Sequence, residues 1–262
     1  MVYDLSGNIK ELFKKHNLWA KKSLGQHFLI DKNILNKIIE AADLTKKDTV
    51  LEIGSGLGVL TQELAKKAKE VITVEIDPEI AELLKENLKT LKNVKIVVGD
   101  ILKIPNPNLK FKIVANIPYQ ITAPVLEKFL VPAPSTLRPD LMVLMLQKEV
   151  AEKICEKPPK MNRISVLAQT FANCQILFNV SRNCFWPKPE VESSVVLLKP
   201  IKPKAIGNPK LFLDLIRKGF SQKRKQLKNI LDIKILEKAK IGLVPQDARS
   251  KRPLIYHHRP NI

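Results

Sequence analysis

The chain contains the stretch TVLEIGSGLG at residues 49–58, in which a short apolar run leads into three glycines at alternating positions. The run is typical of a buried strand, and the glycines let the backbone turn sharply and approach a ligand at the carboxyl end of that strand. A second apolar run ends at Glu75, 21 residues after Gly54. Because a carboxylate at that place accepts hydrogen bonds from ribose hydroxyls, the two features together predict a nucleotide-binding fold.

The glycine spacing distinguishes two kinds of nucleotide cofactor. A dinucleotide requires GxGxxG, which places a pyrophosphate on the N-terminus of the next helix, whereas here the third glycine is Gly58 and Val59 follows it. The acidic residue Glu52 would repel a pyrophosphate but suits the sulfonium and ammonium groups of S-adenosylmethionine. Gly54, Gly56 and Glu52 therefore favour S-adenosylmethionine as the cofactor, with an NAD-dependent oxidoreductase and a glycine turn without a ligand as the alternatives.

Outward from this stretch, apolar runs of strand length alternate with stretches of helical periodicity. Such alternation produces βαβ crossovers, so we predict a Rossmann-like α/β domain with a doubly wound, mostly parallel sheet. Two late runs, at 175–180 and 193–198, predict a closing antiparallel hairpin. The other predicted strands span residues 49–53, 71–75, 94–98, 111–115 and 141–146, and the predicted helices between them begin near Asp31, Leu60, Pro78 and Val125.

The C-terminal quarter of the chain differs from the rest in composition. Pro200 and Pro203 mark a linker, and three short helical patterns follow it, so we predict a catalytic domain over residues 1–200 and a small helical domain over residues 201–262. The net charge is +19, of which residues 199–262 supply +13 with 17 basic and 4 acidic side chains. This excess predicts a polyanionic partner, with a solvated lysine-rich surface as the alternative.

Composition also excludes several classes of protein. No apolar run approaches the roughly 18 residues of a membrane span, and the first residues have no apolar signal core, so we expect a soluble, cytoplasmic protein without membrane association. The three cysteines, Cys155, Cys174 and Cys184, show no CxxC spacing. Neither a disulfide framework nor a metal site is predicted.

A further motif, Asn116-Ile117-Pro118-Tyr119, follows the fourth predicted strand. The amino group of adenine is a poor nucleophile because its lone pair is delocalised into the ring. The side-chain carbonyl of Asn116 and the backbone carbonyl of Ile117 can each accept one N–H, which leaves the lone pair directed at a methyl group. Tyr119 offers an aromatic face to an extruded base, and Pro118 fixes the turn. These four residues predict methyl transfer to an adenine amine without a strong general base.

The chain resembles the small-subunit (16S) rRNA adenine N6,N6-dimethyltransferase family (the KsgA type) nearly from end to end. The segments that carry the resemblance are KSLGQHFL (22–29), EIGSGLG (52–58), Glu75, Gly99-Asp100, NIPY (116–119), LQKEVA (146–151), FWPKPEVES (185–193) and residues 220–231 with KRK at 223–225. Without the resemblance, the sequence alone predicts a loop at residues 26–29 and a core position for Phe185.

The resemblance implies a role for each matching residue. It implies that His27 and Leu29 close over the methionine end of the cofactor, that Gly54 and Gly56 line it, and that Glu75, with Ile76 beside it, holds the ribose. Asp100 and Ile101 would hold the adenine of the cofactor, although Asp100 alone could equally cap the next turn. Asn116 would face the methyl group, and Phe185 would be a second aromatic wall for the target adenine. Lys223, Arg224, Lys225 and Lys228 would contact RNA.

The implied partner is small-subunit rRNA in a pre-30S particle, bound by a monomer. Three other functions remain open at this point. A large-subunit rRNA methylase shares the catalytic motif, and only the C-terminal region favours the small-subunit family over it. An RNA-binding assembly factor with incidental catalysis and an oxidoreductase are the others. Two segments depart from the family: Asn162 stands where glycine is usual, and the end of the chain is basic rather than acidic.

Overall fold

The computed structural model describes residues 7–134, 136–202, 206 and 208–221. The predicted RNA-contacting residues Lys223, Arg224, Lys225 and Lys228 lie outside these residues, as do the helical patterns at 224–231 and 235–241. The predicted division into two domains therefore stays a prediction. In the described part of the chain, no helix is long and apolar enough to cross a membrane.

Two sheets make up the β structure. The strands are β1 (Phe28–Leu29), β2 (Thr49–Ile53), β3 (Glu70–Glu75), β4 (Val94–Val98), β5 (Lys112–Asn116), β6 (Leu141–Gln147), β7 (Ala172–Val180), β8 (Phe185–Trp186) and β9 (Ser193–Pro200). Seven of them form a central sheet in the order β4-β3-β2-β5-β6-β9-β7. Its first five strands are parallel, and β9 runs antiparallel to both β6 and β7. The predicted sheet and its closing hairpin are confirmed.

Helices cover both faces of this sheet. They are α1 (Gly7–Lys15), α2 (Lys32–Ala41), α3 (Val59–Lys67), α4 (Pro78–Leu88), α5 (Thr122–Leu130), α6 (Lys148–Cys155), α7 (Arg163–Phe171) and α8 (Pro209–Gly219). Successive strand residues point to opposite faces, so Ile113 and Ala115 enter a core with α5, α6 and α7, while Val114 enters a second core with α2 and α3. Burial on both faces explains why these strands have continuous apolar sequences.

The departure at Asn162 has a structural role. Asn162 is the N-cap of α7: its side chain accepts hydrogen bonds from the backbone N–H groups of Ile164 and Ser165, while the Ser165 side chain accepts from the backbone of Asn162. This reciprocal pair satisfies N–H groups that the first helical turn leaves without partners. Asparagine at this position therefore stabilises the start of the helix.

The N-terminal segment forms a third apolar cluster, which the sequence did not predict. Helix α1 places Ile9 and Phe13 in a third apolar cluster with Phe28, and Phe28 lies in β1, which pairs with β8. The expectation of a plain loop at residues 26–29 is thus wrong at Phe28 and Leu29. We refer to residues 21–29 as the N-terminal strap.

Helix α8, the first element after the predicted linker, packs on the same core as α7. Ile216 belongs to the core that contains α7, and the rings of Phe212 and Phe171 meet edge to face with their centroids 5.5 Å apart. Helix α8 therefore shares a core with the central sheet, although it follows the predicted linker.

Candidate functional site

The glycine turn at the end of β2 forms the floor of a cleft. Gly54 has φ +72° and Gly56 has φ +54°, a backbone region that glycine adopts without strain. Gly56 also lies so close to the strap that a Cβ there would be 2.9 Å from the ring of Phe28. A side chain at position 56 would therefore push the strap away from the sheet.

The cleft lies between the strap and the carboxyl ends of the parallel strands. Such a position is where open α/β sheets bind their ligands. Ten of the residues predicted for the site line it: His27, Leu29, Glu52, Gly54, Gly56, Glu75, Ile76, Asn116, Pro118 and Tyr119.

Glu75 is held in a fixed orientation at the end of β3. Its Oε2 accepts a hydrogen bond from the backbone N–H of Gly56 at 2.9 Å, and its Oε1 accepts from that of Asp77 at 3.0 Å. Burial raises the pKa of Glu75, although these backbone donors act in the opposite direction. Each carboxylate oxygen keeps a further lone pair, so the oriented group can accept hydrogen bonds from ribose hydroxyls.

Glu52 places a second carboxyl group in the wall of the cleft. The side chain is 1% exposed, and its Oε2 accepts hydrogen bonds from the hydroxyls of Thr61 at 2.6 Å and Thr73 at 2.9 Å. Burial, with the neighbouring charge of Glu75, raises the pKa of Glu52 to about 7, against these hydrogen bonds. A cationic ligand would stabilise the ionised form, which is the match expected for a sulfonium cofactor.

One polar atom of the cleft has no partner among the described residues. The hydroxyl oxygen of Ser55 is buried and makes no hydrogen bond with any of them, and Ser55 lines the cleft. A buried hydroxyl without a partner costs about 1–3 kcal/mol, which a ligand group can recover. Together with the carboxylates of Glu52 and Glu75, this residue set fits S-adenosylmethionine.

Asn116 ends β5 with its amide in a defined orientation. The amide nitrogen Nδ2 donates a hydrogen bond to the backbone carbonyl of His27, at 3.0 Å. Because the strap binds the nitrogen, the oxygen Oδ1 is directed elsewhere and remains an acceptor. The predicted chemistry needs the side-chain oxygen of Asn116 as an acceptor. The hydrogen bond from Nδ2 to the strap orients the amide accordingly.

Tyr119 and His27 face each other at the mouth of the cleft. Their rings are stacked with the centroids 6.1 Å apart, and the Tyr119 hydroxyl lies 2.8 Å from Ser193 Oγ. Nδ1 of His27 is 2.7 Å from the carbonyl oxygen of Pro187; because a carbonyl oxygen only accepts, Nδ1 is the nitrogen that donates this hydrogen bond. His27 is thereby fixed to the segment that precedes β9, and Tyr119 to the first residue of β9.

Three predicted site residues do not line the cleft. The Asp100 carboxylate accepts a hydrogen bond from the backbone N–H of Leu102 at 2.9 Å, so it caps the next turn, and the Ile101 side chain is buried in the core with α5. Lys128 of α5 donates to the carbonyl oxygens of Ile101 and Ile104, which fixes this turn beside the sheet. The Phe185 ring is 3% exposed and packs in the core with α2 and α3, as the motif alone indicated. It presents no face to the cleft here, and its role as an aromatic wall stays a prediction.

The structure adds site residues that the sequence reasoning missed. Asp77, the N-cap of α4, binds the strap through Lys21 Nζ at 2.9 Å and Gln26 Nε2 at 2.8 Å. Burial would raise the pKa of Asp77. The hydrogen bonds from Lys21 and Gln26, together with the positive charge of Lys21, outweigh burial, so the pKa lies below its usual value. The partners are more than 50 residues apart in sequence, and no local pattern signals their contact.

Comparison with known proteins gives consistent results. The chain matches the family described as ribosomal RNA adenine dimethylase over residues 17–245. It is 42% identical over 234 residues to the ribosomal RNA small subunit methyltransferase A of Dehalococcoides mccartyi (strain ATCC BAA-2100), which covers 87% of this chain and 79% of that protein.

Two crystal structures are similar over most of the chain. A dimethyladenosine transferase from Plasmodium falciparum has a TM-score of 0.69 and 34% identity, with 80% of this chain and 78% of that one covered. The 23S rRNA methyltransferase ErmE has a TM-score of 0.65 and 28% identity, with 81% of this chain and 88% of that one covered. Given the cleft, the fixed Asn116 corner and a family match that spans most of its length, the chain belongs to the ribosomal RNA adenine dimethylase family.

Proposed function

We propose that this protein transfers methyl groups from S-adenosylmethionine to N6 of two adjacent adenines in small-subunit (16S) rRNA, which gives N6,N6-dimethyladenosine. The observation that carries the proposal is the fixed amide of Asn116, whose nitrogen is bound by the His27 carbonyl at the mouth of the cofactor cleft. Its free oxygen provides the acceptor that activation of an adenine amine requires.

Cofactor binding is assigned to the residues of the cleft. The carboxylate of Glu75 accepts hydrogen bonds from the ribose, and Ile76, 49% exposed, offers an apolar surface beside it. Glu52 supplies negative charge for the cationic end of the ligand. Asp100 and Ile101 stand next to Glu75 in space, since the N–H of Gly99 donates to the Glu75 carbonyl at 2.8 Å, and we assign them to the adenine of the cofactor. When bound, the cofactor supplies an electrophilic methyl group on its sulfonium sulfur.

Activation of the target amine is assigned to the corner at residues 116–119. The oxygen of Asn116 and the carbonyl of Ile117 accept the two N–H groups of adenine, which withdraws the lone pair from the ring and directs it at the methyl group. Pro118 fixes this corner with φ −53°, and Tyr119 holds the base by stacking. As the bond from nitrogen to the methyl carbon forms, the methyl–sulfur bond breaks and its electron pair stays on sulfur, which leaves as a neutral thioether. The nitrogen is then cationic, so its proton is acidic enough to pass to water without a basic side chain.

The protein is proposed to act as a monomer in the cytoplasm on a pre-30S particle during small-subunit biogenesis. Methylation of large-subunit rRNA is the second candidate, because the 23S rRNA methyltransferase ErmE has nearly the same TM-score as the dimethyladenosine transferase. The 42% identity to a ribosomal RNA small subunit methyltransferase supports methylation of small-subunit rRNA.

The two candidates differ in the RNA that receives the methyl group. Purified protein and isotope-labelled S-adenosylmethionine are incubated with unmethylated small-subunit particles or with large-subunit rRNA, and labelled fragments are mapped by mass spectrometry. We expect label on two adjacent adenines of the small-subunit RNA alone. Label confined to large-subunit RNA would replace the proposal with the second candidate. Binding to particles without any label would favour the assembly-factor function.

A further inference from the structure

Trp19 is a large aromatic side chain that the fold leaves in solvent. Its side chain is 81% exposed, whereas every other described aromatic ring is buried or half-buried. Single exposed apolar residues are common on protein surfaces, so exposure alone assigns no role. The local structure around Trp19 and the charges beside it carry the argument.

The backbone on both sides of Trp19 is fixed. Helix α1 ends in a turn in which Asn17 has φ +51° and the N–H of Leu18 donates to the carbonyl of Phe13 at 2.9 Å. Leu18 and Ala20 both pack against the third apolar cluster. One residue further on, Lys21 is bound to Asp77 and Glu79 at the start of α4. With its neighbours held inward, the backbone at Trp19 is fixed and the side chain projects into solvent.

The sequence on both sides of Trp19 is basic. Residues 7–27 contain five lysines and one acidic residue, Glu11. Lys14 and Lys15 end α1, both are exposed, and neither forms an ion pair with a described residue. An exposed aromatic ring within five residues of these two lysines supplies the two features that bind unpaired nucleotides: stacking on the base and attraction of the phosphates.

The position of Trp19 relates it to the cleft. The chain runs from Trp19 directly into the strap, whose residues from Leu24 to Leu29 line the cleft. His27, which stacks with Tyr119, is eight residues away, so the two sites are separated by at most about 28 Å of chain. That distance spans a few nucleotides of single-stranded RNA.

We propose that Trp19 stacks on an unpaired base of the substrate RNA near the target adenine but outside the catalytic cleft, with Lys14 and Lys15 on the adjoining phosphates. The proposal rests on the function proposed above and adds a contact that determines substrate affinity. Stacking tolerates any base, so Trp19 contributes affinity and positioning, and the choice of adenine is left to other contacts.

Three substitutions of Trp19 separate stacking from a general apolar contact. Trp19→Ala should weaken binding to unmethylated small-subunit particles by about 5- to 100-fold. Trp19→Phe should recover most of the affinity, and Trp19→Leu should behave like alanine. S-adenosylmethionine affinity should stay unchanged in all three, and Leu109→Ala, which removes another exposed apolar side chain, should bind RNA like the wild type. Full affinity in Trp19→Leu would overturn the proposal and indicate an apolar contact with a protein.

Fluorescence tests the contact directly, because the chain has only two tryptophans. In a Trp186→Phe background, addition of protein-free small-subunit rRNA, which contains no tryptophan, should quench the emission of Trp19. Unchanged emission under conditions where the RNA binds would overturn the proposal, as would wild-type particle affinity in Trp19→Ala. Failure of the wild-type protein to bind particles or rRNA would instead contradict the proposed function.

Discussion

Replacement of Asn116 by alanine tests the catalytic corner, and the structure separates its two effects. The substitution removes the acceptor oxygen that would receive the adenine N–H, and it also removes the hydrogen bond to the His27 carbonyl. The first loss acts on the chemical step. The second acts on the strap, which covers the cofactor cleft.

The two effects differ in size. Loss of one preorganised hydrogen-bonding group at a reacting centre costs about 10²- to 10³-fold in rate. Loss of the hydrogen bond to His27 costs about 0.5–1.5 kcal/mol, which corresponds to at most roughly tenfold in cofactor affinity. We therefore expect Asn116→Ala to lower the rate of methyl transfer at saturating cofactor by about 10²-fold or more and to weaken the cofactor far less.

Single-turnover methylation of small-subunit particles measures the chemical step, and calorimetric titration with S-adenosylmethionine measures the affinity. Asn106→Ala is the matched control, because Asn106 Nδ2 also donates to a backbone carbonyl, that of Leu137 at 3.1 Å, but outside the cofactor cleft. The control should behave like the wild type. A turnover within threefold of wild type in Asn116→Ala, or a loss confined to cofactor affinity, would refute the assignment.

Three further predictions follow from the site and from the charge. Glu75→Ala should weaken cofactor binding by about 1–3 kcal/mol, with the rate at saturating cofactor retained, and unchanged affinity in the same titration would show that Glu75 does not hold the ribose. Because the pKa of Glu52 is raised to about 7, its carboxyl group is neutral below that pH. S-adenosylmethionine affinity should therefore rise between pH 6 and 8 more steeply than that of the uncharged-sulfur product, and equal pH profiles would contradict this. Neutralising Lys223, Arg224 and Lys225 should lower the salt-dependence slope of RNA binding by about 0.7–0.9 per lost phosphate contact, and an unchanged slope would identify these charges as solvated surface.

The sheet was predictable because its signals are local. Runs such as 49–53 and 141–146 are mainly apolar because both faces of their strands are buried. Asp31 and Pro78 mark helix starts by capping chemistry that a sequence displays directly. The glycine turn and the 116–119 motif were found for the same reason.

The resemblance placed His27 and Leu29 at the cofactor, but the contacts that hold the strap were not predictable, because they join residues far apart in sequence. Lys21 and Gln26 meet Asp77, and the carbonyl of His27 meets Asn116 across 89 residues. Helix α1 did carry a signal, since Ile9, Leu12 and Phe13 have helical spacing, but the helix is short. The orientation of the Asn116 amide, on which the proposed chemistry depends, is visible only in the folded chain.

The most direct test of the account is the nucleoside content of small-subunit rRNA in cells with and without this protein. Mass spectrometry of nucleosides from a deletion strain, and from the same strain complemented with the wild-type chain or with Asn116→Ala, gives the result in one series. We predict that N6,N6-dimethyladenosine is absent in the deletion strain, returns with the wild-type chain and does not return with Asn116→Ala. Dimethyladenosine at wild-type levels in the deletion strain, or full restoration by Asn116→Ala, would contradict the account.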